Sequence, residues 1–162
     1  MEPNPALSES EVRQIEEKYG FTVPLEYRWF ITSIGNGGAG PFYGIFPLGE
    51  HDDGYDLNSW ECGGLIGDLG QPFPHTEAWN LPAAFWSEQP SPGDKMSDEE
   101  WEQQYEAWND KLEEKYWGPA IMQGAIPICH EGCALRDWLV VSGPLDGTMW
   151  RDMRADNGGW RH

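Results

Sequence analysis

Apolar positions crowd most densely between Gly124 and Asp152, in three short blocks at 125–129, 135–141 and 148–153. The segments between them, His130-Glu131-Gly132 and Ser142-Gly143-Pro144-Leu145-Asp146-Gly147, carry turn chemistry, and the spacing predicts an antiparallel meander. Leu139-Val140-Val141 is a continuous apolar run rather than an alternating one, which is the pattern of a central strand covered on both faces. The rest of the chain must supply that cover.

Three stretches have the period of a helix. Ser8 and Glu11 have the spacing of a capping box, Leu7 and Val12 that of a hydrophobic staple, and Val12, Ile15 and Tyr19 mark one face before Gly20 ends the first helix. Pro24 opens a second, in which Tyr27, Phe30, Ile31 and Ile34 fall at i, i+3, i+4 and i+7 and predict an inward stripe. Ser97 and Glu100 repeat the capping box, with Met96 and Trp101 as staple, and open a third helix. Its Trp101, Tyr105, Trp108, Leu112 and Tyr116 form an aromatic stripe, while Glu99, Glu102, Glu106, Asp110 and Glu113 occupy the opposite face.

Between these elements the pattern is weaker. Gly35, Gly37 and Gly40 satisfy G-x-G-x-x-G, but a helix precedes the motif and the strand-like Phe42-Tyr43-Gly44-Ile45-Phe46 follows it. A dinucleotide site needs the reverse order, so a helix stop and a turn are expected. Residues 48–82 read as loop and 82–95 as a connector. Asp52, Asp53 and Asp56 lack the alternating ligands and closing Glu of a calcium loop, and read as a solvated acidic loop.

Charge narrows the partners. The 162 residues hold 28 Asp and Glu against 10 Lys and Arg, a formal net charge of −18, which disfavours nucleic acid and anionic membranes and favours a basic protein partner. No apolar run approaches the length of a membrane span, and the opening residues lack the charged and apolar regions of a signal peptide. With three cysteines, a cytoplasmic protein with reduced thiols is the expectation.

Candidate chemistry concentrates at Cys129-His130-Glu131-Gly132-Cys133, where two thiols and an imidazole lie within five residues. Zinc wants four ligands, and Cys62, His51 and His75 are remote single candidates. Adjacent strand residues face opposite sides, so Cys129 and His130 are poorly placed as nucleophile and base. Asp152, Asp156 and Asn157 read as a polar exit from the last strand. No nucleophile, base and oxyanion donors assemble, so no catalytic residue, metal or cofactor is expected. A metal-dependent enzyme built on the Cys129–Cys133 turn is the weakest alternative.

A set of ordered motifs carries a resemblance. Tyr19-Gly20-Phe21-Thr22-Val23-Pro24-Leu25-Glu26-Tyr27-Arg28-Trp29-Phe30, then Asn36-Gly37-Gly38 and Gly40-Pro41-Phe42-Tyr43-Gly44-Ile45, resemble the opening of the SUKH superfamily. Gln71-Pro72-Phe73-Pro74 through Trp79, and Gly124 through Trp150, resemble later blocks of its bacterial members. The resemblance implies an α+β fold, with helices packed on one face of a twisted antiparallel sheet, and a single domain over 1–162. Residues 83–118 match no family block and read as a variable acidic helical insertion. Relatives continue past the strand at 148–153 into a C-terminal helix, whereas this sequence ends at Trp160-Arg161-His162.

By that resemblance the chain is expected to be an immunity protein of a polymorphic toxin system, binding and neutralising a cognate toxin. A non-catalytic interaction scaffold of the same fold is the alternative. Many nuclease toxins carry basic channels, which an acidic inhibitor can occupy in place of phosphates. The contact surface is therefore expected among Asp52, Asp53, Asp56, Glu99, Glu102, Glu106 and Asp110.

Overall fold

A computed structural model describes residues 2–49, 66–93 and 96–162. Among them, helices α1 (Glu9–Tyr19), α2 (Leu25–Ser33), α3 (Ala83–Ser87) and α4 (Asp98–Leu112) precede strands β1 (Ala125–Gly132), β2 (Leu135–Val140), β3 (Met149–Asp152) and β4 (Trp160–Arg161). The strands form an antiparallel sheet in the order β1-β2-β3-β4, so the fold is α+β and the meander runs as its spacing predicts.

Both faces of β2 are buried, and strand alternation explains its continuous apolar run. Leu139 and Val141 join Ile126 on one side, under Val12 of α1, Ile31 of α2, Phe21 and Val23. Trp138 and Val140 join Ala125, Trp150 and Trp160 on the other, under Phe73 and Met122. Helices α1 and α2 thus cover one face, and an aromatic layer covers the second.

The predicted caps form. Ser8 Oγ accepts from Glu11 N–H while Glu11 returns a bond to Ser8 N–H, and Gly20 closes α1 in the left-handed conformation at φ 71°. In α2, Ile31 is buried and Tyr27 and Phe30 are half-buried, but Ile34 is exposed. It is the C-cap residue, beyond the last helical turn, so its side chain leaves the stripe.

The glycine-rich turn after α2 is a structural lock. Asn36 Nδ2 donates to Leu48 O at 3.0 Å and its Oδ1 accepts from Leu48 N–H at 2.9 Å, while Asn4 N–H donates to Gly37 O. A Cβ on Gly37, at φ 77°, would stand 2.6 Å from Ile45 O. The segment expected as a strand at 42–46 instead makes a turn, with Phe42 at φ 53°, and only Ile45 bridges to Cys129. The connector after Pro82 contains a short helix, α3.

The first hairpin turn is displaced from its expected place. β1 continues through His130 and Glu131 to Gly132, which pairs with Leu135, leaving Cys133-Ala134 as a two-residue loop. Both have positive φ, 51° and 63°, as the twist of a tight hairpin requires. Neither residue type signals such a turn, because the left-handed conformation costs an L-residue about 1–2 kcal/mol.

Candidate partner-binding surface

Helix α4 is seated through its aromatic stripe. Trp108 is buried and its indole N–H donates to Phe85 O at 3.3 Å, while the Trp101 indole N–H donates to Pro90 O at 3.4 Å. The Trp108 ring lies 5.5 Å from that of Phe85, so α3 is the platform on which α4 rests. Ser97 and Glu100 form the expected capping box, and the bonds from Ser97 backbone and hydroxyl hold the Glu100 carboxyl below its usual range. The helix is shorter than the stripe suggested: α4 ends at Leu112, and a π-helical turn, Glu113–Trp117, carries Tyr116. Such turns accept one extra residue per hydrogen-bonded ring, and Tyr116 stays buried within it.

Tyr116 joins this unit to the sheet. It is fully buried, its ring lies 5.2 Å from Trp86 and 5.8 Å from Trp79, and its hydroxyl accepts from Gly159 N–H at 3.0 Å. The Tyr116 carbonyl accepts from Arg154 Nη1 at 2.6 Å. Arg154 is itself buried and paired with Asp152, with Nε–Oδ1 at 2.8 Å and Nη2–Oδ2 at 2.7 Å, and its guanidinium lies between the Trp117 and Trp160 rings. A planar, always-charged fork can satisfy a carboxylate, a carbonyl and two aromatic faces together, which an ammonium cannot. Asp152 is therefore a core ion-pair partner, not part of a polar exit; with Arg154 three residues short of Asn157, sequence spacing gave no sign of it.

This anchoring leaves one side of α4 outward. Glu99, Glu102, Glu106 and Asp110, spaced three, four and four, are all exposed. Among the described residues none of their carboxylates has an ion-pair or hydrogen-bond partner. Residues 83–118 hold ten carboxylates against three lysines. Like charges at this spacing cost a helix a few tenths of a kcal/mol per pair. Asp52, Asp53 and Asp56 lie outside the described residues, as do His51 and Cys62.

The Cys129–Cys133 turn does not converge on one point. Cys129 is buried with its thiol 3.7 Å from Asp137 Oδ2, His130 packs against Tyr43, and Cys133 is exposed in the hairpin loop. Burial, with the Asp137 charge second, pushes the Cys129 thiol up to about 11, which keeps it protonated at neutral pH. Glu131 is ion-paired with Arg151, which also holds Asp137 at 3.0 Å. His75 is equally structural: it is buried between Trp79 and Trp160, Nε2 donates to Ile121 O at 3.0 Å, and burial lowers its imidazole to about 4. No group of three or more His, Cys, Asp or Glu among the described residues is arranged to hold a metal ion. No helix among them is long and apolar enough to cross a membrane.

Comparison with curated proteins finds no match, and comparison with solved structures finds none. The sequence model of the SMI1 / KNR4 family (SUKH-1), in contrast, matches residues 6–141, from the strap before α1 through the end of the central strand. The motifs at 19–45, the Asn36-Gly37-Gly38 lock and the strand pair β1–β2 all fall inside that span, and the chain belongs to the SMI1 / KNR4 (SUKH-1) family.

Proposed function

We propose that the protein is an immunity protein that binds a cognate bacterial toxin with a basic active surface and neutralises it by covering that surface, without catalysis. The observation that carries this reading is the row Glu99, Glu102, Glu106 and Asp110, exposed and unpartnered on a helix that is fixed by buried aromatic contacts. A partner that brings cations to this row relieves the repulsion within it and gains from its rigidity, since little ordering remains to be done on binding. Family membership is consistent with such a role. The acidic insertion at about 83–118 would then set partner choice, and the family core would act as its mount. Asp52, Asp53 and Asp56 are proposed as further contacts of the same partner.

The test is co-expression with the product of the adjacent open reading frame, followed by binding measured across a salt series. The variant with Glu99, Glu102, Glu106 and Asp110 all changed to Lys should lose affinity by at least 100-fold. Its remaining binding should also lose the salt dependence of the parent, because steering between opposite charges is screened over about 8 Å at physiological salt. Unchanged affinity and slope would remove α4 from the interface. A toxin that kills cells despite a tight complex would overturn neutralisation.

A further inference from the structure

Helix α2 exposes apolar surface that its role in the core does not require. Leu25 is 75% and Trp29 61% exposed, one turn apart on the same side of the helix, while Ile31 on the inner side is fully buried. Glu26 lies on the same exposed arc at about 100° per residue. Asp146, in the turn after β2, is close enough for the Glu26 charge to act on it. Partial burial raises the Asp146 carboxyl, a bond from Gly147 N–H opposes this, and Glu26 adds to the rise. Neither carboxylate has a cationic partner among the described residues. The only basic residue of α2, Arg28, is committed to Glu9 and Glu16. The patch is thus an indole and an aliphatic side chain beside the uncompensated Glu26 carboxylate, whose charge also reaches Asp146.

We propose that this face of α2 is a contact for a basic protein partner, receiving an arginine or lysine side chain whose stem lies on Leu25 and whose charge lies over the Trp29 indole, toward Glu26. The inference rests on the partner being basic, as in the reading above. Cations are attracted to indole faces, tryptophan most of all, and long basic side chains bring an apolar stem to match an apolar seat. The seat is also held in place, because Arg28 ties α2 to α1 and Leu7 N–H donates to Ile31 O at 2.9 Å. Trp and Arg are the residue types that dominate binding energy at interfaces.

The experiment follows the Trp29 indole N–H by nitrogen-15 NMR at 150 mM salt, with its resonance identified from a Trp29→Phe variant. The probe is an N-acetylated, C-amidated tetra-arginine peptide, with tetra-alanine as the control. The expected result is a saturable shift of the Trp29 indole and of the Leu25 and Glu26 amides with tetra-arginine only, weakened at least fivefold in the Glu26→Gln/Asp146→Asn double variant. A Trp29 resonance that does not move, or moves equally in the double variant, overturns the proposal. So does sedimentation showing a dimer that Trp29→Ala dissociates, since a second copy would then occupy the patch. Because the probe is a peptide, these outcomes are independent of whether the neighbouring gene product is bound, and that binding is read separately through the α4 charge variant.

Discussion

On one side of the sheet, Val12, Val23 and Ile31 meet Ile126, Leu139 and Val141 in a core that is chiefly aliphatic. On the other, Trp138, Trp150 and Trp160 meet Phe73, with His75 stacked on the Trp160 ring and Arg154 paired to Asp152 beneath Tyr116. The first side is made by non-directional burial, which tolerates any side chains of the right size. The second depends on directed contacts, each fixing an angle as well as a distance. That difference suits what each side carries. Helices α1 and α2 close the fold, whereas the aromatic side must hold α3 and α4 in one orientation if the acidic row is to act as a rigid surface.

The largest effect should come from breaking the directed side. Arg154→Ala leaves Asp152 buried and uncompensated, and should cost about 3–5 kcal/mol in urea unfolding. Ile31→Ala, on the aliphatic side, should cost about 2–5 kcal/mol through a cavity. The two are separable by rescue: adding Asp152→Asn to Arg154→Met should recover part of the loss, because the unpaired charge is gone, whereas no polar change rescues Ile31→Ala.

Acid should weaken the same side next. His75 is held neutral, with its imidazole lowered by burial from 6.5 to about 4. The unfolded chain therefore binds a proton that the folded chain refuses between those values. The contribution of His75 is fully present above about pH 6.5 and is lost progressively as pH falls toward 4. Unfolding free energy measured from pH 7 to pH 4 should show this slope, and His75→Phe should flatten it.

The smallest effects sharpen the comparison, because each side has its own capping box. Ser8→Ala and Ser97→Ala should each cost about 1 kcal/mol. Loss at Ser8 should appear in global unfolding, since Val12 lies in the main core. Loss at Ser97 should appear first as faster hydrogen exchange within α4, with α1 and the sheet unchanged.

Much of this architecture was legible in residue order. Both capping boxes, the Gly20 stop, the three strand blocks and the acidic face of α4 are signals between residues at most four apart, and such signals survive whatever the rest of the chain does. The family motifs extended that reading to the fold. The misplaced turn at Cys133-Ala134 shows where it failed, since the hairpin register imposed positive φ on residues with no preference for it. Ile34 failed for a similar reason: its periodicity was right, but the helix ended before it.

What the sequence by itself determined is therefore the local order: where helices start and stop, which faces are apolar, and that the chain is strongly anionic. Only the tertiary structure decided that Arg154 is buried against Asp152 and Tyr116, that His75 is a core residue, and that Trp29 stands outward. A charge, an imidazole or an indole carries no sign in sequence of which environment it will meet. The roles of Arg154 and His75 are completed by partners 38 and 46 residues away, Tyr116 and Ile121. Those contacts form only when the chain closes on itself.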